Sequence, residues 1–412
     1  MGFISFAWIT EMPRAGSDIK SPLIVLLIMI AASGASILST DLYAPTLPHL
    51  PAYFGTDAAT VQLTMALNLG AYALAQLIWG PLGDRYGRRG IFIIGMGAFA
   101  LTVVAAAISQ TIDQLIVARI LMGAAASVEA VLVLAVIGDL YEGEESAKIF
   151  AVYGMVISLV PAAGPIIGGF VFEWFGWRAN FYLLAGIVVL VFALGLVRLP
   201  ETLPTAERTA LRLSAILRGY GRLLANGGFV TVSATLGLAI GAIFAYITEA
   251  PFILIDKHGI ETRYFGLYQA VIVLAFFIGS LMASRIVDRI GVPRLFAIGV
   301  WSGSLSGLFV ILAVGLGETP ATLTAAMSVF AFALGPLFAT APVLAFERVP
   351  DHGRGMSAAM LSTFEMGGGA LGALFVSLAP DGTAWPLAIC VSGAAVLLLV
   401  TGLLALRLVA TD

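Results

Sequence analysis

Cysteine and histidine are nearly missing from this 412-residue chain, which has one cysteine, three histidines and only 11% charged residues. A single thiol, Cys390, forms no internal disulfide and supplies no cysteine metal cluster. The histidines lie at predicted helix ends or in loops, which argues against a histidine-based metal site, so no metal is expected. Also absent are HExxH and GxSxG, the patterns of metal-assisted and serine-based hydrolysis, and the phosphate-cradling pattern GxxxxGKS/T. A membrane-embedded enzyme and a nucleotide-driven pump both lack their signatures. No catalytic residue, no cofactor and no nucleic-acid partner are expected.

What the chain has instead is apolar length. Sixty per cent of its residues are hydrophobic and the mean hydropathy is +1.02, far from an ordinary soluble domain. Runs of about 20 apolar residues, each able to cross roughly 30 Å of hydrocarbon as a helix, recur near 22–46, 60–80, 90–109, 113–138, 147–172, 179–198, 228–250, 263–284, 293–315, 319–344, 355–378 and 384–407. A transmembrane barrel would show alternating strands of about ten residues. These runs are continuous and rich in Leu, Ala, Gly and Val, so the predicted fold is all-α, with twelve transmembrane helices. No leader pattern precedes the first run: Met1 to Ser21 carries Glu11, Arg14, Asp18 and Lys20 without a small-residue cut site, and the first span is expected to be retained.

Orientation follows from the cations. With both termini inside, the inside segments hold seventeen of the 21 Lys and Arg residues; Arg178, Lys257 and Arg263 lie outside, and Arg119 falls within a span. Cytoplasmic loops carry such an excess.

The longest polar stretch, Pro200 to Asn226, divides the chain into two six-helix halves, 1–199 and 228–412, joined by a linker at 200–227. Its Arg208, Arg212, Arg218 and Arg222 suit either a solvated connector or one side of an amphipathic helix on an anionic leaflet. A repeat supports the division. Asp84-Arg85-Tyr86-Gly87 after the second span recurs as Asp288-Arg289-Ile290-Gly291 after the eighth, an offset of 204 residues. Each is read as a short inside loop in which glycine permits the turn, while Asp caps a helix or pairs with Arg across the interface. Parallel repeats about an axis along the membrane normal are the arrangement of rocker-type transporters, with the site at the midplane.

The segment Gly80-Pro-Leu-Gly-Asp84-Arg85-Tyr-Gly87-Arg88-Arg89 resembles the signature loop of the major facilitator superfamily. Asp41-Leu-Tyr-Ala-Pro45-Thr-Leu-Pro48 and Val61-Gln62-Leu63-Thr64 resemble its bicyclomycin and chloramphenicol exporter branch, among the drug:proton antiporters. Arg119-Ile-Leu-Met-Gly123 is similar to the superfamily's fourth-helix motif. Pro161-Ala-Ala-Gly164-Pro165-Ile-Ile-Gly168-Gly169 is similar to its fifth-helix antiporter motif. The resemblance implies a bacterial inner-membrane protein with both termini cytoplasmic, exporting small, mostly apolar drugs in exchange for protons. It also implies that Asp41 is the proton-coupling acid and that Arg119 influences the proton step without carrying protons.

Ionisable side chains inside spans cost several kcal/mol unless paired or hydrated, so each is a functional candidate independently of any resemblance. Helix counting puts Arg119 roughly 10 Å deep, with Asp41 at a similar depth in the outer half of the first span. Glu129 and Glu365 fall near the bilayer centre in opposite halves. Facing one cavity, they would bind a cationic substrate, compete with it for protons, or add to coupling. Glu249, just before Pro251, is placed at a solvated outer mouth. Asn68, Tyr72 and Gln76 recur every four residues as a polar stripe that, with Tyr43 and Tyr246, offers an amphipathic pocket. Gly164, Pro165, Gly168 and Gly169 predict a bend and a tight helix seam. The expected partners are a small-molecule substrate, protons and the lipid bilayer, with the chain acting as a monomer. Phenicol-like and lipophilic cationic drugs remain open as substrates, and so does an endogenous metabolite or metallophore.

Overall fold

The computed structural model describes residues 22–141, 143–208, 212–349 and 354–410. The expectation of a retained, leaderless first span turns on residues 1–21, outside the described residues, as are Arg14 and Lys20 of the charge count. Among the described residues there is no strand. Twelve helices are long and apolar enough to cross a membrane: Leu23–Phe54, Ala58–Tyr86, Arg88–Ala107, Ile112–Leu140, Lys148–Phe175, Trp177–Arg198, Gly227–Lys257, Thr262–Ile290, Val292–Gly315, Pro320–Glu347, Gly355–Leu378 and Trp385–Leu408. Below they are spans 1 to 12. The end where span 1 begins and span 12 ends is the arginine-rich end; the opposite one is the far end.

Span 1 outlasts its predicted limit because its prolines redirect the chain without stopping it. The helix Pro22–Asp41 gives way to a 3₁₀ turn, Ala44–His49, and a short helix, Leu50–Phe54, each with proline in its first turn, where the missing N–H has no partner to lose. Gly55, at φ 65°, ends it. Span 2 then starts at a cap, Asp57 accepting from the Thr60 amide at 2.7 Å. Hydrogen bonds from Thr60 hold that exposed carboxyl below its usual range. Span 4 is interrupted at Ser127, between Ile112–Ala126 and Val128–Leu140. Span 7 widens after Pro251 into a π-helical turn, Phe252–Lys257.

The DRxG segments require a correction. Asp84, Arg85 and Tyr86 form the last turn of span 2, and Asp288, Arg289 and Ile290 that of span 8. The loop shrinks to one residue in each case, Gly87 at φ 98° and Gly291 at φ 82°, and the next helix begins at once. Only glycine takes such angles cheaply, so a single residue reverses the chain and leaves the Asp and Arg on a rigid helix end.

The halves meet along two pairs of helices, span 2 with span 11 and span 5 with span 8. Glycines permit the approach. A β-carbon on Gly169 would come within 2.6 Å of the Thr262 carbonyl oxygen, and one on Gly266 within 2.6 Å of the Pro165 carbonyl carbon. The span 5–span 8 crossing is in the far half, whereas span 2 and span 11 stay in touch to the middle of both helices, where the Thr363 hydroxyl meets Ala73. Toward the arginine-rich end the same helices are open: Gly154, Met155 and Val156 of span 5 are exposed, as are Arg285, Ile286 and Asp288 of span 8.

The linker follows span 6 as a 3₁₀ turn, Thr205–Glu207, and a helix, Leu213–Ala225. Arg212, Arg218 and Arg222 are exposed, while Tyr220 and Leu223 are buried. The Tyr220 hydroxyl donates to the Leu77 carbonyl of span 2 at 3.1 Å. Burial, and the Asp84 carboxylate nearby, push that hydroxyl up to about 12, so it remains a donor at neutral pH.

Candidate functional site

Asp41 ends the straight helix of span 1 and is 4% exposed. Its β-carbon rests on Gly164 of span 5, where an added methyl would come within 2.5 Å of it. Its Oδ2 has no hydrogen-bond partner among the described residues. Arg119 is fully buried nearby. The Nη1 of Arg119 donates to the Ser39 carbonyl at 2.7 Å, its Nη2 approaches the Met65 sulfur at 3.4 Å, and the guanidinium lies 4.7 Å over the Tyr43 ring. The Tyr43 hydroxyl shares a 2.9 Å hydrogen bond with Thr64. Asp41 and Arg119 are not among the ion pairs of the described residues. The arginine instead holds the backbone two residues before Asp41, fixing the end of that helix.

Glu129 occupies the first turn after the break at Ser127 and is 4% exposed. Its Oε2 accepts from the Ser33 hydroxyl at 2.5 Å and its Oε1 from the Tyr72 hydroxyl at 2.9 Å; the Tyr153 hydroxyl donates to Ser33 at 2.9 Å. Spans 1, 2, 4 and 5 thus converge on one carboxylate. Tyr72 and Tyr153 are only half-buried, so the cluster opens between the helices.

Glu365 of span 11 is also half-buried, but it has no hydrogen-bond or ion-pair partner among the described residues. Span 11 touches both span 2 and the Val128–Leu140 segment that carries Glu129. The Thr363 hydroxyl reaches the Ala73 carbonyl of span 2 at 3.1 Å. Gln76, one turn along, is fully buried with both amide atoms unpartnered among the described residues.

Glu249 differs from its expected place at a solvated mouth. It is 3% exposed and accepts from the Gln62 amide of span 2 at 2.5 Å. The cause is the far-end closure, which buries the end of span 7 against the first half. Two more polar links cross the same seam: His49 to Thr262 at 2.8 Å, and Arg263 to Glu173 at 3.1 Å.

At the arginine-rich end, Arg88 pairs with Asp84 at 2.5 Å and reaches Asp139 at 3.4 Å. The Arg88 amide donates to Glu201 at 2.8 Å; Glu201 lies 3.5 Å from Arg208, and Thr202 donates to Asp139 at 2.8 Å. Asp84 therefore pairs within its own half and does not cross the interface. Asp288 and Arg289, at the equivalent place in the second half, stand exposed.

Sequence reasoning expected Tyr43, Asn68 and Tyr246 as pocket walls, and the fold uses them differently. Tyr43 is sandwiched by Arg119 and Phe181, Asn68 donates to the Arg119 carbonyl at 2.7 Å, and Tyr246 is 1% exposed. A four-residue period names one helix face, and the neighbouring helix decides what covers it. Ser33, Tyr153 and Glu201 carry no site role in the sequence reading, and Gln62 enters it only as part of a family motif. A serine or tyrosine in a span carries no charge signal, and the remote partners that give these residues meaning are 96 to 187 positions apart along the chain.

The chain matches the family described as Major Facilitator Superfamily over residues 29–373. It is 31% identical over 376 residues to a chloramphenicol resistance protein of Pseudomonas aeruginosa, spanning 88% of this chain and 86% of that one. It is also 31% identical over 319 residues to the multidrug transporter MdfA of Edwardsiella ictaluri, spanning 77% of each. Solved structures of similar fold include a D-xylose–proton symporter (TM-score 0.70, 17% identity, 93% of this chain and 97% of that one). A bacterial homologue of the human lysosomal transporter Spinster in an inward-facing conformation gives a TM-score of 0.72 at 15% identity, spanning 96% and 98%.

Proposed function

The chain belongs to the Major Facilitator Superfamily, as a multi-pass membrane transporter and not an enzyme, and from that premise we propose that it exports small amphipathic drugs from the cytoplasm in exchange for protons. The named relatives resist chloramphenicol or carry multiple drugs, which supports the substrate class. The arginine-rich end is cytoplasmic by the excess of cations in its turns and linker.

Asp41 carries the reading. It is a carboxyl group buried among membrane helices, without a counter-ion among the described residues, resting on Gly164 of the helix that seals the far end. Ionised, it needs water or a cation; protonated, it needs neither. Its β-carbon touches Gly164, which adjoins Pro165 and lies little more than one turn from Gly169, residues that close on span 8, so parting that seam admits water to the carboxylate. The chemistry is a proton lost to water on the opened side and regained from water on the other. Arg119 acts as a positioning residue, because it grips the Ser39 carbonyl and cannot itself deprotonate.

With the far end closed and the halves apart at the arginine-rich end, the molecule is in an inward-facing state. Drug enters between the halves, where half-buried Glu365 offers a carboxyl group without a partner among the described residues. Rocking the halves about this site would part the Gln62–Glu249, His49–Thr262 and Glu173–Arg263 links and pack the other end.

Expression in an efflux-deficient bacterial host tests the function. The parent chain should raise resistance to chloramphenicol or to lipophilic cations, and Asp41→Asn at equal membrane abundance should not. Equal resistance from both would reject the proton-site assignment.

A further inference from the structure

The two central acids differ in surroundings, and the difference separates two tasks that the chemistry of a proton-coupled exporter requires. Both oxygens of Glu129 are occupied by hydroxyl donors, Ser33 and Tyr72, and Tyr153 stands behind Ser33. A hydroxyl is a donor and an acceptor on a rotatable bond. Around a carboxylate the three hydroxyls point their hydrogens inward; around a carboxylic acid one turns and accepts. The same cage therefore satisfies the group in both protonation states without moving a helix, which an arginine or lysine partner would not allow.

The groups facing Glu129 are Ser33 and Ser36 from span 1, Tyr72 from span 2 and Tyr153 from span 5. The tyrosines are the titratable members of that set, and no Lys, Arg or His among the described residues pairs with the acid. A bulky cation gains little from this carboxylate, which is 4% exposed and already holds two donors. A proton needs no more room than the cage provides. Glu365 is the opposite case, half-buried with no partner among the described residues, so its charge is open to a ligand between the halves.

We propose that Glu129, in its cage of Ser33, Tyr72 and Tyr153, is a second proton-carrying site beside Asp41, and that Glu365 is the residue that reads positive charge on the drug. This rests on the drug-export reading. The step is a plain transfer: the carboxylic acid O–H of Glu129 breaks, its proton passes to cavity water through the Tyr72 side of the cage, and the carboxylate keeps the electron pair. Protonation from the other side reverses it.

The test uses the purified full-length chain in lipid nanodiscs with two probes, neutral chloramphenicol and the cation tetraphenylphosphonium. Binding affinity is measured by calorimetry, and protons released per drug bound are counted with a pH dye in weak buffer. Glu129→Gln should release fewer protons per chloramphenicol bound than the parent, by up to one, with the affinity ratio of the two drugs kept. Glu365→Gln should weaken tetraphenylphosphonium relative to chloramphenicol by roughly tenfold, the scale of one lost charge contact, with the proton count kept. Should Glu129→Gln misfold, Ser33→Ala and Tyr72→Phe serve in its place. Each removes a cage hydroxyl, and each should move the pH midpoint of proton release by about half a unit or more.

The proposal is overturned if Glu129→Gln releases as many protons as the parent, if the cage variants leave the midpoint in place, or if the loss of cation preference follows Glu129 and not Glu365. A parent that binds neither probe would sink the drug-export reading, and the proposal with it. Drug binding without the predicted proton difference would sink the proposal alone.

Discussion

Gly266→Ala is the smallest change that should reset the conformational balance. Gly266 lies one turn into the crossing of span 8 over span 5, and a β-carbon there would lie 2.6 Å from the Pro165 carbonyl carbon. Ordinary carbon contacts are about 3.5–4.0 Å, so the helices must part by about 1 Å. Both partners are backbone and cannot turn aside. Overpacking of this kind costs about 1–3 kcal/mol, but only in the state where the far end is closed. At about 1.4 kcal/mol per decade, the ratio of far-end-open to far-end-closed molecules should rise roughly 5- to 150-fold. Alanine also favours the helix over glycine by about 0.8–1.0 kcal/mol, so the fold should survive and the shift should be visible. Spin labels at Gln110→Cys and Leu316→Cys, in a Cys390→Ser background, would report the far-end distance by double electron–electron resonance; Gln110 is exposed and Leu316 is 88% exposed. A longer-distance population should grow in Gly266→Ala. An unchanged distribution would refute the claim that this seam holds the far end shut.

Three other changes probe separate parts of the account. Gln62→Ala strips buried Glu249 of its donor; an unsatisfied buried group costs about 1–3 kcal/mol, and the same labels should show far-end opening. Arg119→Lys cannot both hold the Ser39 carbonyl and cover the Tyr43 ring; drug transport should fall at least about tenfold, while thermal stability in detergent should fall less than in Arg119→Ala. Glu201→Ala removes the acceptor of the Arg88 amide and the partner of Arg208; with both side chains partly exposed the stability loss should stay under about 1 kcal/mol, but trypsin should cut after Arg208 faster than in the parent.

Much of this architecture was readable because membrane solvent imposes a coarse code. Twelve apolar runs of spanning length became twelve helices, and the cations marked one end. Glycine at Gly87 and Gly291 signalled a turn, but the alphabet gives no sign that helix persists through Asp84 and Asp288 to the residue before. Glu249 shows a different limit. Its distance from the end of span 7 suggested solvent, and only the meeting of the halves, which brings Gln62 to it from span 2, makes it buried. The hydroxyl cage of Glu129 is similarly invisible, because its members come from four spans and none but the acid is unusual in a membrane helix. Charge is conspicuous in an apolar sequence; hydrogen-bonding company is not.

The central claim is that proton movement drives export through Asp41. Proteoliposomes holding the purified chain, loaded with labelled chloramphenicol or tetraphenylphosphonium and given an imposed pH gradient with the membrane potential clamped, test it most directly. The account predicts drug movement against the proton flux, reversed when the gradient is reversed and lost in Asp41→Asn. Drug flux that ignores the gradient, or an Asp41→Asn protein that responds like the parent, would contradict it.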